Sequence, residues 1–324
     1  LSGVGVRTVS RVLNKRPDVN EDTRGRVMEV IERYGYEPNS NAKHLKQLST
    51  DCVAVIVRGR NNLFFSGILE LLQKRIEAAG LRFLPHYIDE NDDEAAAALR
   101  VYAERKVRGI IFMGGCHTDN GAMLSRLPIP CVYSTVNAAE GYAPNVSSVS
   151  VDDRQGAKKA IDYLFDCGHE NMVILSGETQ GCNMAHQRYL GVLDSFKEHG
   201  KTLESSRVLV SPFSFSCAYE RIKEYTGPDY TAIFAMSDTM AIGAARALMD
   251  SGKRVPEDVS VIGYDGIELA QYYHPALATM RQPQQELADR SVELLLESMD
   301  TDCAPKHIQL ETELIQGASV KHIS

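Results

Sequence analysis

Apolar residues in the first 50 positions recur at helical spacing. They predict one helix over 6–14 and a second over about 21–33. Asn20 stands where the N-cap of the second helix belongs, and Gly35 and Pro38 stand where a C-cap and a helix stop belong. The apolar positions of the two helices are Val9, Val12, Leu13, Val27, Val30, Ile31 and Tyr34.

From residue 51 onward, short apolar segments alternate with longer amphipathic ones. This alternation predicts parallel, doubly wound sheets, because parallel strands need helical crossovers. About ten strands fit two such sheets better than one. The predicted strands are 52–57, 81–87, 109–113, 130–134, 147–151, 172–176, 207–210, 232–236, 259–264 and 277–280. The predicted helices are 65–79, 93–106, 154–165, 186–199, 215–225, 240–251 and 283–299.

The composition is ordinary for a globular protein, with 324 residues of which 44% are apolar and 24% are charged. No apolar run approaches the roughly 18 residues that span a bilayer, so we expect no membrane segment. The seven cysteines are scattered and form no C-x-x-C pair, which favours reduced thiols in a cytosol. Since the chain shows neither a signal peptide nor an initiator Met, we expect a cytoplasmic protein whose natural start precedes Leu1.

The charge is distributed unevenly along the chain. Residues 1–50 carry nine Lys/Arg and six Asp/Glu, a balance of +3. Residues 51–324 carry 26 Lys/Arg and 37 Asp/Glu, a balance of −11. A basic front on an acidic body indicates a small module that binds a polyanion.

The sequence lacks the motifs of the common α/β enzymes. Gly3-Val4-Gly5 has Thr8 where a dinucleotide-binding loop needs a third glycine, and no strand precedes it. No P-loop, G-x-S-x-G elbow or H-E-x-x-H motif is present, and the nine histidines are dispersed. We therefore expect no catalytic residues, no metal and no cofactor.

The segment GVGVRTVSRVLN at 3–14, followed by VNEDTRGRVMEVIERYGYEPN at 19–39, resembles the headpiece of LacI/GalR-type (lactose-repressor family) transcription regulators. Further family motifs follow in order, and the resemblance covers essentially the whole chain. They are VDD (151–153), GH (168–169), RYLG (188–191), SDTMAIGA (237–244), VPEDVSVIGYDG (255–266) and PALATMRQP (275–283).

The resemblance implies three parts: a helix-turn-helix headpiece at 1–38, a hinge helix at 39–50 and an effector-binding, dimerising core at 51–324. The core would be two-lobed and similar to periplasmic binding proteins. We expect its N-lobe at about 51–168 and 283–303, and its C-lobe at about 169–282 and 304–324. Family headpieces begin with another helix before Gly3, so the headpiece is expected to lack its first helix.

The resemblance implies that the helix over 6–14 is the recognition helix that enters the major groove of DNA. Arg7 would pair with guanine and Val6 would touch a thymine methyl. In the hinge, Leu45 would wedge into the minor groove and Ala42 would let two hinge helices approach. The alternatives are a solvated helix face and a linker leucine packed on the core. The full set of expected DNA contacts is Val6, Arg7, Thr8, Ser10, Arg11, Asn14, Asn39, Ala42 and Leu45.

Ligands of doubly wound sheets bind beyond the carboxyl ends of the strands. The resemblance places Arg188 and Asp265 there, where a guanidinium and a carboxylate can bind vicinal hydroxyls or a base edge. The alternatives are a surface ion pair for Arg188 and a helix N-cap for Asp265. The other expected effector contacts are Phe64, Phe65, Phe213 and Ser237. Phe64 and Phe65 could equally be packed inside their lobe. Ser237 stands where many family members carry Asn.

The sequence thus predicts a sequence-specific DNA-binding transcriptional regulator, a repressor, that is controlled by a small sugar or nucleoside-like effector. Its partners would be a near-palindromic double-stranded operator, a carbohydrate effector and a second copy of the chain. A solute-binding protein that shares the core fold is the alternative. A sugar-modifying enzyme ranks third because no catalytic residues are apparent.

Overall fold

The computed structural model describes residues 3–13, 19–34, 51–59, 62–89, 92–115, 120–181, 184–301 and 303–323. The chain divides into two compact units, Leu1–Thr50 and Asp51–Ser324. Among the described residues, no helix combines the length and the apolar character that crossing a membrane requires.

The first unit contains helices α1 (Val6–Leu13) and α2 (Glu21–Tyr34), as predicted. The side chain of Asn20 accepts a hydrogen bond from the backbone N–H of Asp22 at 2.9 Å, which confirms Asn20 as the N-cap. Val12 of α1 and Val27 of α2 are both buried. The predicted hinge at 39–50 lies outside the described residues.

The second unit alternates strands and helices, as the apolar pattern predicts. The strands are β1 (Cys52–Arg58), β2 (Arg82–Ile88), β3 (Gly109–Met113), β4 (Cys131–Ser134), β5 (Val146–Val151), β6 (Met172–Ser176), β7 (Val208–Val210), β8 (Ala232–Ala235), β9 (Ser260–Asp265), β10 (Ala278–Arg281), β11 (His307–Leu310) and β12 (Glu313–Ile315). The helices are α3 (Leu63–Ala78), α4 (Glu94–Arg105), α5 (Gly121–Leu124), α6 (Asp153–Asp166), α7 (Met184–Glu198), α8 (Phe215–Lys223), α9 (Asp238–Asp250), α10 (Glu268–Tyr272) and α11 (Gln284–Asp300).

The strands form two sheets with the same internal order. The first is β11-β5-β4-β3-β1-β2 and the second is β12-β10-β9-β8-β6-β7. Every pair is parallel except β10 with β12. The predicted two-lobed core of doubly wound sheets is therefore confirmed. Strand β4 is third in the order of the first sheet, and β9 is third in the order of the second, so the two strands occupy corresponding positions.

Three short connections join the lobes, and each leaves the carboxyl end of a strand. Strand β5 leads into α6, β10 leads into α11, and β11 leads into β12. Because α6 packs on α7 while α11 packs on α3, each helix has changed lobe. The carboxyl edges of the two sheets therefore face each other across the connections.

The lobe boundaries differ from the expected ones. We expected α6 in the N-lobe, but its apolar residues, among them Ile161 and Leu164, pack in the C-lobe core with Ile262. We expected 304–324 in the C-lobe, but β11 pairs with β5 in the first sheet. The short strands β11 and β12 were not predicted, because three- and four-residue strands carry too few positions for a clear apolar pattern.

Candidate functional site

The guanidinium of Arg188 is the centre of a buried charged cluster. Its side chain is 1% exposed. Nε donates to Oδ1 of Asp153 at 2.7 Å, and Nη1 donates to the backbone carbonyl of Met236 and lies 3.5 Å from Oδ1 of Asp265. The guanidinium carbon also lies 3.7 Å from the centre of the Tyr264 ring, a cation–π distance.

The cluster forms where the lobes connect. Asp153 opens α6 directly after the β5 connection, and Asp265 ends β9. Gln282, on the β10 connection, donates from Nε2 to Oδ1 of Asp265 at 2.8 Å. Two of the three connections thus contribute a side chain to the cluster around Arg188.

Burial dominates the electrostatics of this cluster. It raises the pKa of Asp265 to about 7, although Arg188 and Gln282 oppose that shift. Burial also raises the pKa of Asp153, again opposed by Arg188. Burial lowers the pKa of Arg188, but Asp153 and Asp265 outweigh it and the net shift is upward. The guanidinium is therefore permanently charged beside carboxyl groups that resist ionisation.

The turn after β9 is strained and braced. Asp265 has φ +111°, a conformation that side-chain-bearing residues rarely adopt and that concentrates at functional sites. The buried carboxylate of Asp238 holds this turn, since it accepts from the backbone N–H of Ile267 at 2.8 Å and from the hydroxyl of Thr279 at 2.6 Å. Asp238 thus supports the turn that presents Asp265.

Two further expected effector residues lie at the same edge of the second sheet. Ser237 caps α9, because its hydroxyl accepts from the backbone N–H of Met240 at 3.2 Å. Phe213 packs over the end of β6, and a Cβ on Gly177 would come within 2.4 Å of its ring. Arg188, Phe213, Ser237 and Asp265 therefore share one edge.

The expected first-lobe contacts, Phe64 and Phe65, are core residues with exposures of 3% and 5%. Their ring centres lie 5.9 Å apart, and the Phe65 ring lies against Gly114. This burial favours lobe packing, the alternative that the sequence left open.

Sequence reasoning missed a second charged cluster, at the carboxyl edge of the first sheet. Glu94 is 1% exposed and accepts from Arg58 at 3.1 Å and from the Tyr133 hydroxyl at 2.6 Å. Burial raises the pKa of Glu94, and Tyr133 and Arg58 oppose the shift. The available signal was an arginine that ends the otherwise apolar segment CVAVIVR.

Thr135 directly follows β4, and Asp265 ends β9, the corresponding strand of the second sheet. Both residues have a positive φ, +81° at Thr135 and +111° at Asp265. The hydroxyl of Thr135 accepts from the backbone N–H of Gly114 at 3.3 Å. Strain at matching positions of the two lobes marks both edges as a candidate ligand site.

A cavity of about 800 Å³ opens beside the β10 connection. It includes Gly266 and Gln282 from the neighbourhood of the cluster, and charged side chains of α11. Arg188, Phe213, Ser237 and Asp265 are not among its lining residues. In the described part of the chain, no group of three or more His, Cys, Asp or Glu residues is arranged to hold a metal ion.

Of the expected DNA contacts, six lie on or next to α1. Thr8 is half-buried and Arg11 is exposed. The structure describes the backbone but not the side chains of Val6, Arg7 and Ser10. The other expected contacts, Asn14, Asn39, Ala42 and Leu45, lie outside the described residues. The helix is confirmed, while its DNA contacts stay predictions.

Together, the fold and the site define a two-lobed binding protein with a helical N-terminal unit. Residues 161–320 match the periplasmic binding protein-like domain, and residues 1–39 match the bacterial regulatory proteins of the lacI family.

The HTH-type transcriptional regulator MalR of Clostridium butyricum is 34% identical over 100% of this chain and 98% of its own length. The HTH-type transcriptional repressor PurR of Vibrio vulnificus is 31% identical over 100% and 97%. The structure of a transcriptional regulator CelR–cellobiose complex superposes with a TM-score of 0.74 at 29% identity, covering 98% of this chain and 97% of that one.

The chain therefore belongs to the lacI family of bacterial regulatory proteins. This membership confirms the family resemblance and the expected class of transcriptional regulator. The relatives are named as regulators and repressors rather than as enzymes.

Proposed function

We propose that the chain represses transcription by binding a near-palindromic operator as a homodimer, and that a carbohydrate bound between the lobes sets its operator affinity. The observation that carries this proposal is the presence, in one chain, of a lacI-family headpiece match at 1–39 and a binding-protein match at 161–320. The chain acts in the cytoplasm and catalyses no reaction.

The DNA contacts start from α1. Its N-terminal residues enter the major groove, where Arg7 forms a bidentate contact with guanine. Leu45 of the hinge wedges into the minor groove and kinks the duplex. Two copies are needed because one recognition helix reads too few base pairs for specificity.

Exposed apolar side chains on the C-lobe support the second copy. Leu269 and Tyr272 of α10 are exposed, Tyr272 to 76%, and Met249 of the adjacent α9 is also exposed. The Tyr273 hydroxyl donates to Sδ of Met249 at 3.9 Å, so these elements are neighbours, and exposed large apolar groups on neighbouring elements favour a protein interface. Tyr272→Asp should therefore raise the dissociation constant of the dimer in sedimentation, and an unchanged constant would place the interface elsewhere.

The effector acts on the Arg188 cluster, which lies in the second lobe beside the connections between the lobes. The Arg188 guanidinium is hydrogen-bonded to Asp153, next to the β5 connection, and forms an ion pair with Asp265, in the turn after β9. Sugar hydroxyls that compete for Arg188 or Asp265 change these contacts beside the connections. The ligand shifts the equilibrium between two lobe arrangements only by its differential affinity for them.

Carbohydrate is the favoured effector class because guanidinium and carboxylate groups bind vicinal hydroxyls, and aromatic rings such as Phe213 stack on sugars. The related CelR structure is described as a cellobiose complex, which supports this choice. A solute-binding protein is the second candidate, since it shares the core.

Operator binding tests the proposal. A library of random duplexes, selected on the full-length protein, should yield a near-palindromic site whose affinity falls steeply with salt. A sugar that raises the melting temperature of the protein should then change that affinity. Sugar binding without any specific duplex would favour the solute-binding protein.

A further inference from the structure

Gln282 links the Arg188 cluster to the segment of chain that leaves the second lobe. It directly follows β10 and is 3% exposed. Its backbone N–H donates to the carbonyl oxygen of Asp265 at 3.1 Å, and its side-chain Nε2 donates to Oδ1 of Asp265 at 2.8 Å. Gln282 is therefore held twice by a single residue, which is also an expected effector contact.

The side-chain acceptor of Gln282 is shared with the guanidinium of Arg188. Oδ1 of Asp265 lies 2.8 Å from Nε2 of Gln282 and 3.5 Å from Nη1 of Arg188. A sugar hydroxyl that donates to this carboxylate competes with Gln282 for it, and one that accepts from Arg188 draws the guanidinium away from it. Occupancy of either expected contact therefore changes the hydrogen bond that holds the Gln282 side chain.

Helix α11 of the first lobe begins two residues after Gln282. The N–H of Gln284, its first residue, donates to the carbonyl oxygen of Gln282 at 2.9 Å. Pro283, between them, has no N–H and gives the helix no side-chain cap. Leu287 and Ala288 are fully buried in the core that α11 shares with α3. A shift of Gln282 therefore moves the start of a helix that is packed into the first lobe.

Asp153, the other side chain that lies beside a connection, offers no equivalent route. It belongs to α6, whose apolar residues pack in the second lobe. Among the side chains described around Arg188, Gln282 is the one from which the chain continues into the first lobe. The first lobe is also the one that the N-terminal unit precedes in sequence, since β1 starts at Cys52.

We propose that Gln282 is a positioning residue that couples effector occupancy at Arg188 and Asp265 to α11 of the first lobe. The inference rests on the proposed effector site, and it adds the route by which occupancy of that site reaches the lobe that carries the N-terminal unit. A route of this kind is established only by a measured coupling, because proximity alone does not demonstrate it.

Operator binding at saturating sugar measures that coupling. The probes for the full-length protein are ribose, glucose, maltose and cellobiose, of which calorimetry selects the tightest binder. Gln282→Met keeps the length of the side chain and removes its amide donor. In this variant, the change in operator affinity that the sugar causes should fall by about fivefold or more. Because the sugar is saturating, a weaker sugar affinity does not by itself reduce the response.

Gln285→Met is the matched control. Gln285 is exposed on α11, where its Nε2 donates to Asp289 at 3.1 Å, so the same substitution removes a comparable hydrogen bond away from the cluster. It should keep the wild-type response. A full response in Gln282→Met would overturn the inference. An absence of sugar binding in Gln282→Met would also overturn it, because Gln282 would then belong to the binding site itself.

Hydrogen exchange gives a readout that needs no sugar. Gln282→Met and Asp265→Ala each remove one side of the hydrogen bond, so amides in the first turns of α11 should exchange about fivefold faster or more. Amides near Ser298, at the other end of α11, are the internal reference for global opening. The double variant should exchange no faster than the faster single variant. Multiplicative acceleration would show two separate routes and overturn the inference.

The two experiments separate the coupling from the proposed function. If no sugar binds the wild type while the variants exchange as expected, the carbohydrate effector fails and the coupling through Gln282 stands. If a sugar changes operator affinity equally in the wild type and in Gln282→Met, the effector site stands and the coupling fails.

Discussion

The Arg188 guanidinium donates to the Asp153 carboxylate at 2.7 Å and thereby ties α7 of the second lobe to the connection that enters it from β5. Both side chains are buried. Removing one partner of a buried ion pair leaves an uncompensated charge, which is far more costly than losing a surface pair.

Arg188→Ala should therefore destabilise the core by about 3–5 kcal/mol, as well as abolish the effector response. Urea unfolding of the full chain measures the loss. Arg246→Ala, which removes an exposed helical pair with Asp250, is the control and should change stability little. Equal losses in the two variants would show that the Arg188 cluster is not desolvated as the structure indicates.

Asp265 predicts a pH dependence of stability. Its folded pKa of about 7 lies above the ordinary 3.8, so between these values the folded state holds a proton that the unfolded chain has lost. The stability contributed by Asp265 is therefore present at low pH and falls as pH rises from about 4 to about 7.

The comparison with Asp265→Asn isolates this effect, since the amide does not titrate. The unfolding free energy of the wild type should drop relative to the variant by a few kcal/mol (roughly 1.4 per unit of pKa shift) across that range. Chemical denaturation at half-unit pH steps gives both curves. Parallel curves would mean that Asp265 ionises normally in the folded state.

At Gly191, helix α7 packs closely against the backbone of α6. A Cβ there would lie 2.0 Å from the backbone carbonyl oxygen of Arg154, so α6 and α7 would have to separate. Gly191→Ala should cost about 1–3 kcal/mol despite the higher helix propensity of alanine. Thermal unfolding measures the change.

Gly67→Ala is the matched control on α3. Its Cβ would meet only the side chain of Gln284, which can move away. This variant should be neutral or more stable by up to about 1 kcal/mol. If Gly67→Ala lost as much stability as Gly191→Ala, backbone proximity would not explain the cost.

The hydroxyl of Thr279 helps to hold the turn at Asp265 in place. Thr279→Val removes the hydroxyl that donates to Asp238 and that accepts from the N–H of Gly266, and should cost about 1–3 kcal/mol. Effector affinity should fall with it, because the turn presents Asp265. Thr202→Val, at an exposed position, is the control for stability. Full stability in Thr279→Val would rule out the brace.

Arg7 tests direct readout of DNA. In the full-length protein, Arg7→Ala should weaken binding to the specific operator by about 1–3 kcal/mol and relax the base preference at one position per half-site. Arg33→Ala, on the exposed end of α2, should leave that preference intact. A uniform loss across all duplexes would assign Arg7 to a phosphate.

The local pattern predicted most of the core because strands and helices have different apolar periods. The predicted strands 109–113 and 172–176 match β3 and β6 residue for residue. Family motifs located Arg188 and Asp265, which the fold brings within 3.5 Å of each other. Predictions were weakest at the short edge strands β11 and β12, where few positions carry the pattern.

Charge pairing could not be foreseen in the same way. Arg58 and Glu94 are 36 positions apart, and Arg188 and Asp153 are 35 apart. Each pair joins elements that lie far apart in sequence and meet at one sheet edge, a strand end and a helix start for Arg58 and Glu94 and two neighbouring helices for Arg188 and Asp153. No local spacing encodes that meeting. The burial of Phe64 and Phe65 also depends on which face of the sheet α3 covers.

The sequence by itself determined the kind of protein, since the headpiece motif, the alternation of strands and helices and the absence of catalytic motifs are all local properties. Tertiary structure decided to which lobe α6 and β11 belong and which groups surround Arg188. The physical reason is that burial and ion pairing depend on neighbours in space, and the fold draws those neighbours from distant parts of the chain.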